Sequence, residues 1–211
     1  MGRRNEDPLF EGGKKLPLVE DFYTIQGEGY HTGKAAYFVR LGGCDIGCSW
    51  CDTKFSWQPE IHPLVAMDDI VKKAVGYPAK AVVITGGEPM TYRLDYLCGK
   101  LKEQNVKIFL ETSGSYPLSG EWDWICLSPK KQNSPLDEYY EIANELKVII
   151  RDVNDFHWAE INRKKVMSYC NLYLQPEWSR YHSIIDPIVA YVKEHPWWNI
   201  SLQAHKFMKI P

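Results

Sequence analysis

The sequence predicts an α/β fold built on a parallel sheet that curls into an incomplete TIM-type barrel. Three observations lead there. Short, almost wholly apolar runs alternate with longer amphipathic stretches, the texture of parallel strands covered on both faces and joined by crossover helices. The chain has 211 residues, whereas a complete (β/α)₈ barrel needs about 250, so about six or seven βα units are expected. Polar or Gly-rich punctuation follows the strand runs at their carboxyl ends, the face on which such sheets bind ligands. A doubly wound open sheet is the alternative.

Each element has its own justification. The strand runs are AAYFVRLGG (35–43), AVVITGG (81–87), VKIFLETSG (106–114), WDWICLSP (122–129), ELKVII (145–150), NLYLQP (171–176) and NISLQAH (199–205). Between them, 67–76 reads as a helix with Asp68 and Asp69 in its first turn, where the helix dipole favours anions. In 92–104, Leu94, Leu97, Cys98 and Leu101 form one apolar stripe. The stretch 154–165 opens on a capping Asn or Asp and ends basic. In 186–195, Asp186 reads as N-cap and Pro187 as the first helical residue. Residues 115–121 are too few for a helix, so one unit is truncated. Residues 17–211 form a single domain after a polar leader, 1–16, which is a candidate for disorder.

Composition excludes several classes. Charge is nearly balanced, 25 basic against 27 acidic residues, with no Lys/Arg block, which argues against direct nucleic-acid binding and for a small-molecule substrate. No run of about 18 apolar residues offers a membrane span. The leader lacks the apolar core of a secretory signal, so a cytoplasmic location is expected. In that compartment the six cysteines are poor disulfide candidates, and a tight cluster of them reads as metal-binding or catalytic.

Such a cluster is GGCDIGCSWCD (42–52), with Cys44, Cys48 and Cys51 spaced C-x3-C-x2-C. A structural zinc site wants four Cys or His ligands, and His62 is the nearest downstream histidine. Three thiolates on a four-iron cubane leave one iron open to the amine and carboxylate of an amino acid. CDIGCSWC resembles the cluster loop of the radical S-adenosylmethionine (SAM) superfamily, in which an aromatic residue, here Trp50, precedes the third cysteine. The resemblance implies a [4Fe–4S] cluster on the three cysteines and SAM on its open iron. Cys98, Cys126 and Cys170 read as small packing residues.

ITGGEPM (84–90) resembles the superfamily's glycine-rich segment, which meets the methionyl amine of SAM. Gly86 and Gly87 allow close backbone approach and their carbonyls can accept from an ammonium; Glu88 reads as a loop anchor more than a ligand. By position in the series, Thr112 and Ser113, then Ser128, Pro129 and Lys130, then Gln175, Pro176, Glu177 and Trp178 should border SAM, or else simply close βα turns.

A more selective stretch is FYTIQGEGYHTGKAAYFVRLGGCDIGCSWCDTKFSW (22–57), which resembles the 7-carboxy-7-deazaguanine synthase family of the queuosine pathway. TGGEP, ETSG, SPK, LQPE and the final KFMKIP extend the likeness from about residue 17 to the end. It implies a radical ring contraction of 6-carboxy-5,6,7,8-tetrahydropterin with loss of ammonia, begun by a 5′-deoxyadenosyl radical. By this likeness Ile25, Gln26 and Gly27 meet the pterin edge, Glu28 meets it or else caps the loop, Arg40 meets the carboxylate or else forms a surface ion pair, Thr85 completes the site or else faces the core, and the terminal Pro211 reaches the pterin. Thr53 resembles the family's Mg²⁺ ligand; an N-cap in CDT is its bland alternative. His205 reads as structural or supporting, and His31, His62, His157, His182 and His195 as surface. A flavodoxin, ferredoxin or reductase donor and a homodimer complete the expectation. The rivals are a small glycyl-radical activase and a zinc-stabilised interaction domain.

Overall fold

The computed structural model describes residues 8–211. Among them the elements run β1 (Lys15–Ile25), β2 (Ala35–Leu41), β3 (Leu64–Ala66), α1 (Met67–Val75), β4 (Ala81–Gly86), α2 (Asp95–Glu103), β5 (Lys107–Thr112) and β6 (Trp124–Leu127). They continue with α3 (Asp137–Ile142), β7 (Glu145–Ile150), α4 (Asp155–Arg163), β8 (Asn171–Pro176), α5 (Tyr181–Glu194), β9 (Asn199–Ile200) and α6 (Ala204–Met208). One nine-stranded sheet has the order β3-β1-β2-β4-β5-β6-β7-β8-β9. From β2 to β9 the pairs are parallel; β1 runs antiparallel to β2 and to β3.

The sheet is curled but not closed by strand pairing. Its two ends meet through loops: Ala204 N donates to Gly27 O at 2.8 Å, and Gly29 N to Ser201 Oγ at 2.8 Å. The segment after β9 thus straps the loop after β1, which is how a barrel short of strands covers its lateral gap. The alternation of each strand does the rest. Val82, Ile84, Ile108, Leu110, Leu146, Val148 and Leu174 are buried in the apolar layer beneath the helices. Burying each such side chain contributes about 2 kcal/mol. Their neighbours Thr85, Glu111, Lys147, Ile149 and Gln175 point the other way and line a cavity.

The seven expected strand runs all contain a strand, although the last is reduced to Asn199–Ile200. No helix separates β5 from β6, as the short 115–121 connection requires. Five elements differ from expectation: β3, of only three residues, lies outside the expected strand runs, and α6 begins at Ala204, inside the expected strand run 199–205. β1 and α3 carry no clear period: Pro17, Glu20 and Asp21 interrupt the first, and the second has six residues. α5 begins at Tyr181, so Asp186 is not its cap and Pro187 lies inside it. Ile184 and Ile188, one turn apart, are both buried, and packing that stripe offsets the hydrogen bond a mid-helix proline removes. Of the expected leader 1–16, residues 1–7 lie outside the described residues. Pro8–Gly13 form a 3₁₀ segment that buries Phe10 edge-on against Tyr92, and Lys15 and Leu16 already belong to β1, so the boundary expected at 17 falls within a strand.

Candidate functional site

The cavity, about 280 Å³, opens at the carboxyl ends of the parallel strands and reaches down into the curl of the sheet. Cys44, Cys48 and Cys51 stand on its rim, all three as free thiols. Their loop is held by backbone: Cys44 N donates to Trp57 O at 3.1 Å, Cys51 N to Cys48 O at 3.0 Å, and Tyr92 Oη to Gly42 O at 2.7 Å. Gly47, at φ 71°, supplies the left-handed turn between the first two thiols. Burial pushes the Cys44 thiol up to about 11 and raises Cys48 as well, so these sulfurs become thiolates when metal binding deprotonates them. Among the described residues no three His, Cys, Asp or Glu gather tightly enough for a single ion. Thiols meant for three separate irons of a cubane need wider spacing, and the loop fits a [4Fe–4S] cluster with one corner free.

Gly86 and Gly87 serve the cysteine loop first. A Cβ on Gly86 would sit 2.2 Å from Leu41 O, and one on Gly87 2.4 Å from Gly43 O. Gly87 N donates to Leu41 O and Glu88 N to Gly43 O, at 3.0 and 2.9 Å. Glu88 is the anchor expected of it. It is 1% exposed and accepts from Met90 N at 3.0 Å, Thr112 Oγ1 at 2.6 Å and Ser113 N at 2.8 Å. Thr112 and Ser113 therefore face the cavity with their hydroxyls already engaged. Lys130 Nζ donates to Ser128 O and Ser128 Oγ, at 2.6 and 2.7 Å, and lies 5.7 Å over the Trp50 ring. Burial lowers the Lys130 ammonium, with Cys48 opposing. Gln175 accepts from Ser201 Oγ at 2.6 Å, while Glu177 caps the turn after β8 through Ser179. Pro176 and Trp178 complete that wall. Pro129 departs from the expected set: it lines an adjoining hollow of about 140 Å³, because its place between Ser128 and Lys130 turns it toward Arg151 and Trp158.

Deeper in the cavity lies the IQGE segment. Ile25, Gln26, Gly27 and Glu28 all line it, beside Thr85, Arg40 and Pro211. Gly27 is packed on His205, where a Cβ would come within 2.3 Å of Nδ1. Arg40 faces the cavity while its Nε donates to Glu20 at 2.7 Å, so the surface-pair reading and the lining role coexist. Thr53 occupies the N-cap position of the turn 54–56 without a side-chain cap; its Oγ1 lies 3.5 Å from Cys51 Sγ and faces the cavity.

Several lining residues escaped the sequence reading. Lys147 Nζ bridges Glu28 at 2.6 Å and Glu111 at 2.8 Å. Gln203 Nε2 donates to Glu28 at 3.0 Å, and Gln26 Nε2 to Glu111 at 3.3 Å. Burial alone would raise Glu28, but Lys147 beside it holds the carboxyl down at about 2. Burial likewise opposes the Lys147 charge, yet its anionic neighbours keep it well above the ordinary lysine range. The stacked pair Phe22–Phe38, 5.6 Å apart, adds an apolar wall. A signal for Lys147 existed: ELKVII puts two charges, two residues apart, into a run otherwise fit for a fully covered strand. His205 lines the cavity too, its imidazole lowered by burial against the pull of Glu28.

The other histidines are placed unevenly. His157 and His182 are exposed as expected. His31 is half-buried, stacked on Phe109 at 4.6 Å and edge-on to Trp124, because the loop after β1 folds across the bottom of the sheet. His195 is half-buried on Tyr191, and half-buried His62 bonds to Phe55 O at 2.8 Å. Cys98, Cys126 and Cys170 are buried.

With this geometry, similarity to known proteins is extensive. The model of the radical SAM superfamily matches residues 38–127. The 7-carboxy-7-deazaguanine synthase of Flavobacterium psychrophilum is 54% identical, with 95% of each chain covered. That of Synechocystis is 46% identical, over 92% of this chain and 93% of its own. The crystal structure of QueE from Escherichia coli superposes with a TM-score of 0.81 at 29% identity, covering 96% of this chain and 99% of that one. Thiol loop, glycine segment and barrel geometry agree with these likenesses along nearly the whole chain, which therefore belongs to the 7-carboxy-7-deazaguanine synthase family of radical SAM enzymes, proteins that carry a [4Fe–4S] cluster and SAM.

Proposed function

We propose that this chain converts 6-carboxy-5,6,7,8-tetrahydropterin to 7-carboxy-7-deazaguanine with loss of ammonia, as a carbon–nitrogen lyase. The observation that carries the reading is the meeting, in one cavity, of the three free thiols with the IQGE segment, Arg40 and Pro211. Cys44, Cys48 and Cys51 would hold the cluster, and Gly86, Gly87, Ser128, Lys130 and Gln175 would border SAM. When bound, the two together supply a carbon-centred radical that takes hydrogen from the substrate.

The chain's own residues bind, orient and shield. Glu28 and Glu111 accept from the N–H edge of the pterin, Arg40 offers its planar fork to the carboxylate, and Phe22 and Phe38 cover the ring face. The strap from Ser201 to Pro211 closes the lateral gap and keeps water from the radical. Thr53 is proposed as a Mg²⁺ ligand, with substrate carboxylate and water filling an octahedron. Short edge strand β3, with exposed Leu64 at its start and exposed Ile61 just before it, suits a second copy of the chain, so we propose a homodimer, to be checked by sedimentation. Among the described residues no helix is long and apolar enough to cross a membrane. We place the activity in the cytoplasm, where thiols stay reduced and a flavodoxin, ferredoxin or reductase can deliver electrons. A glycyl-radical activase would act on a protein and has no use for paired carboxylates deep in a small cavity.

The test is anaerobic turnover of the reconstituted protein with the carboxylated tetrahydropterin, SAM, Mg²⁺ and a reductant. The product mass should show loss of ammonia. Cleavage of SAM indifferent to the pterin would refute the reading.

A further inference from the structure

β7 lies between β6 and β8, with one face in the apolar layer and the other toward the cavity, and on the cavity face it carries a lysine that is only 4% exposed. Burying an ammonium is costly unless it is paired and hydrogen-bonded. Lys147 meets that condition by bridging two carboxylates from distant parts of the chain: Glu28, on the loop after β1, at 2.6 Å, and Glu111, on β5, at 2.8 Å. Glu28 also accepts from Gln203 at 3.0 Å, and Glu111 from Gln26 at 3.3 Å and from the Cys126 thiol. Both acids are partly exposed, and both line the cavity. A carboxylate accepts at about four lone-pair sites, so each retains acceptor capacity toward a ligand. Two carboxylates against one ammonium leave a surplus of negative charge, and that surplus suits a ring edge rich in N–H donors.

We infer that Lys147 is a positioning residue: it holds Glu28 and Glu111 as paired acceptors for the donor edge of a 2-amino-4-oxo-pyrimidine ring, and so decides for that ring against one with a carbonyl in place of the amino group. The inference rests on the substrate class proposed above. Without the lysine, two carboxylates would share a poorly solvated pocket, and like-charge repulsion would drive a proton onto one of them. A protonated carboxyl donates as well as accepts, so the pocket would lose its preference. Among the described residues the nearest other ammonium, Lys130, is tied to Ser128 by two hydrogen bonds and does not bridge the two acids. His205 faces Glu28 but is held below the ordinary histidine range, Cys126 is a thiol, and Glu145, two residues back on β7, is another acid.

The experiment uses the cluster-loaded protein under anaerobic conditions and two fluorescent ligands, 6-carboxypterin and its 2-oxo counterpart 6-carboxylumazine. Wild-type protein should prefer the pterin by at least about tenfold. In Lys147→Met, pterin binding should weaken about tenfold or more and the preference should shrink below about threefold. Iron content and SAM affinity should be unchanged. Lys147→Arg, which keeps the cation, should keep the preference. Should Lys147→Met not fold, Lys147→Gln, which keeps a donor without the charge, should show the same collapse. A variant that weakens both ligands equally, with the ratio intact, overturns the inference and leaves Lys147 merely structural. Wild-type protein that binds neither ligand overturns the substrate class itself, and the two failures are thereby told apart.

Discussion

At the scale of single residues, the thiols and Arg40 make the clearest predictions. Cys51→Ala removes one iron ligand, so iron and sulfide content should fall and SAM cleavage should be abolished, while far-ultraviolet circular dichroism stays unchanged because Cys51 is only partly buried on a loop. Arg40→Ala should raise the KM for the pterin about tenfold or more with a smaller effect on kcat, the mark of lost ground-state binding. Its stability cost should be within about 1 kcal/mol, since the Glu20 partner is largely exposed. If Arg40→Ala changed the melting temperature strongly and left KM alone, the ion pair would be its whole role.

At the scale of elements, the loop after β1 and the strand β7 are locked by charge. Glu145 lies beneath Lys147 on the same face of the sheet, accepts from Tyr30 N and Trp124 Nε1, both at 3.2 Å, and touches Gly29, where a Cβ would fall 1.9 Å from its Oε1. Burial raises its carboxyl to about 7, with Lys147 opposing. A folded-state pKa above the unfolded one means stability that is present at low pH and lost as pH rises from about 4.5 to about 7. Glu145→Gln should remove that loss, so its stability relative to wild type should be higher at pH 8 than at pH 5 by up to roughly 3 kcal/mol. Urea unfolding of both proteins at the two pH values measures the difference and cancels the opposite contributions of His31 and His205. A difference independent of pH would show that Glu145 is ionised in the folded protein at pH 5. Glu88 makes the complementary case at the end of β4. Glu88→Ala should cost about 2–4 kcal/mol by stranding the donors of Met90, Thr112 and Ser113, and chemical denaturation should read it directly.

For the whole molecule, the telling feature is a gap closed by a strap instead of by strands. No residue of α6 is buried, yet the segment from Ser201 to Pro211 meets the loop after β1, and Phe207 stacks edge-on to Trp178 and Tyr181. Truncation after Gln203 should therefore leave a folded protein with normal cluster content and SAM affinity but greatly weakened pterin binding. Loss of folding on truncation would instead make the strap part of the core. The same geometry explains what was legible. Each βα unit declares itself locally by period and punctuation, so the parallel strands and the cavity rim could be read in order. β1 could not, because its pairing with β2 and β3 is a long-range outcome and its own residues alternate poorly.

By itself, the sequence determined the chemistry of the rim: three thiols at cluster spacing, the glycines that pack beside them, and the motifs that close each strand. These are local, since a loop of eight residues must bring Cys44, Cys48 and Cys51 together whatever surrounds it. Tertiary structure alone decided the depth of the site. Glu28, Glu111 and Lys147 are separated along the chain by 119 and 36 residues and meet because inward-facing positions of a curled sheet converge on its axis. Which charges neutralise one another in a poorly solvated interior depends on distance in space, and no spacing along the chain encodes it.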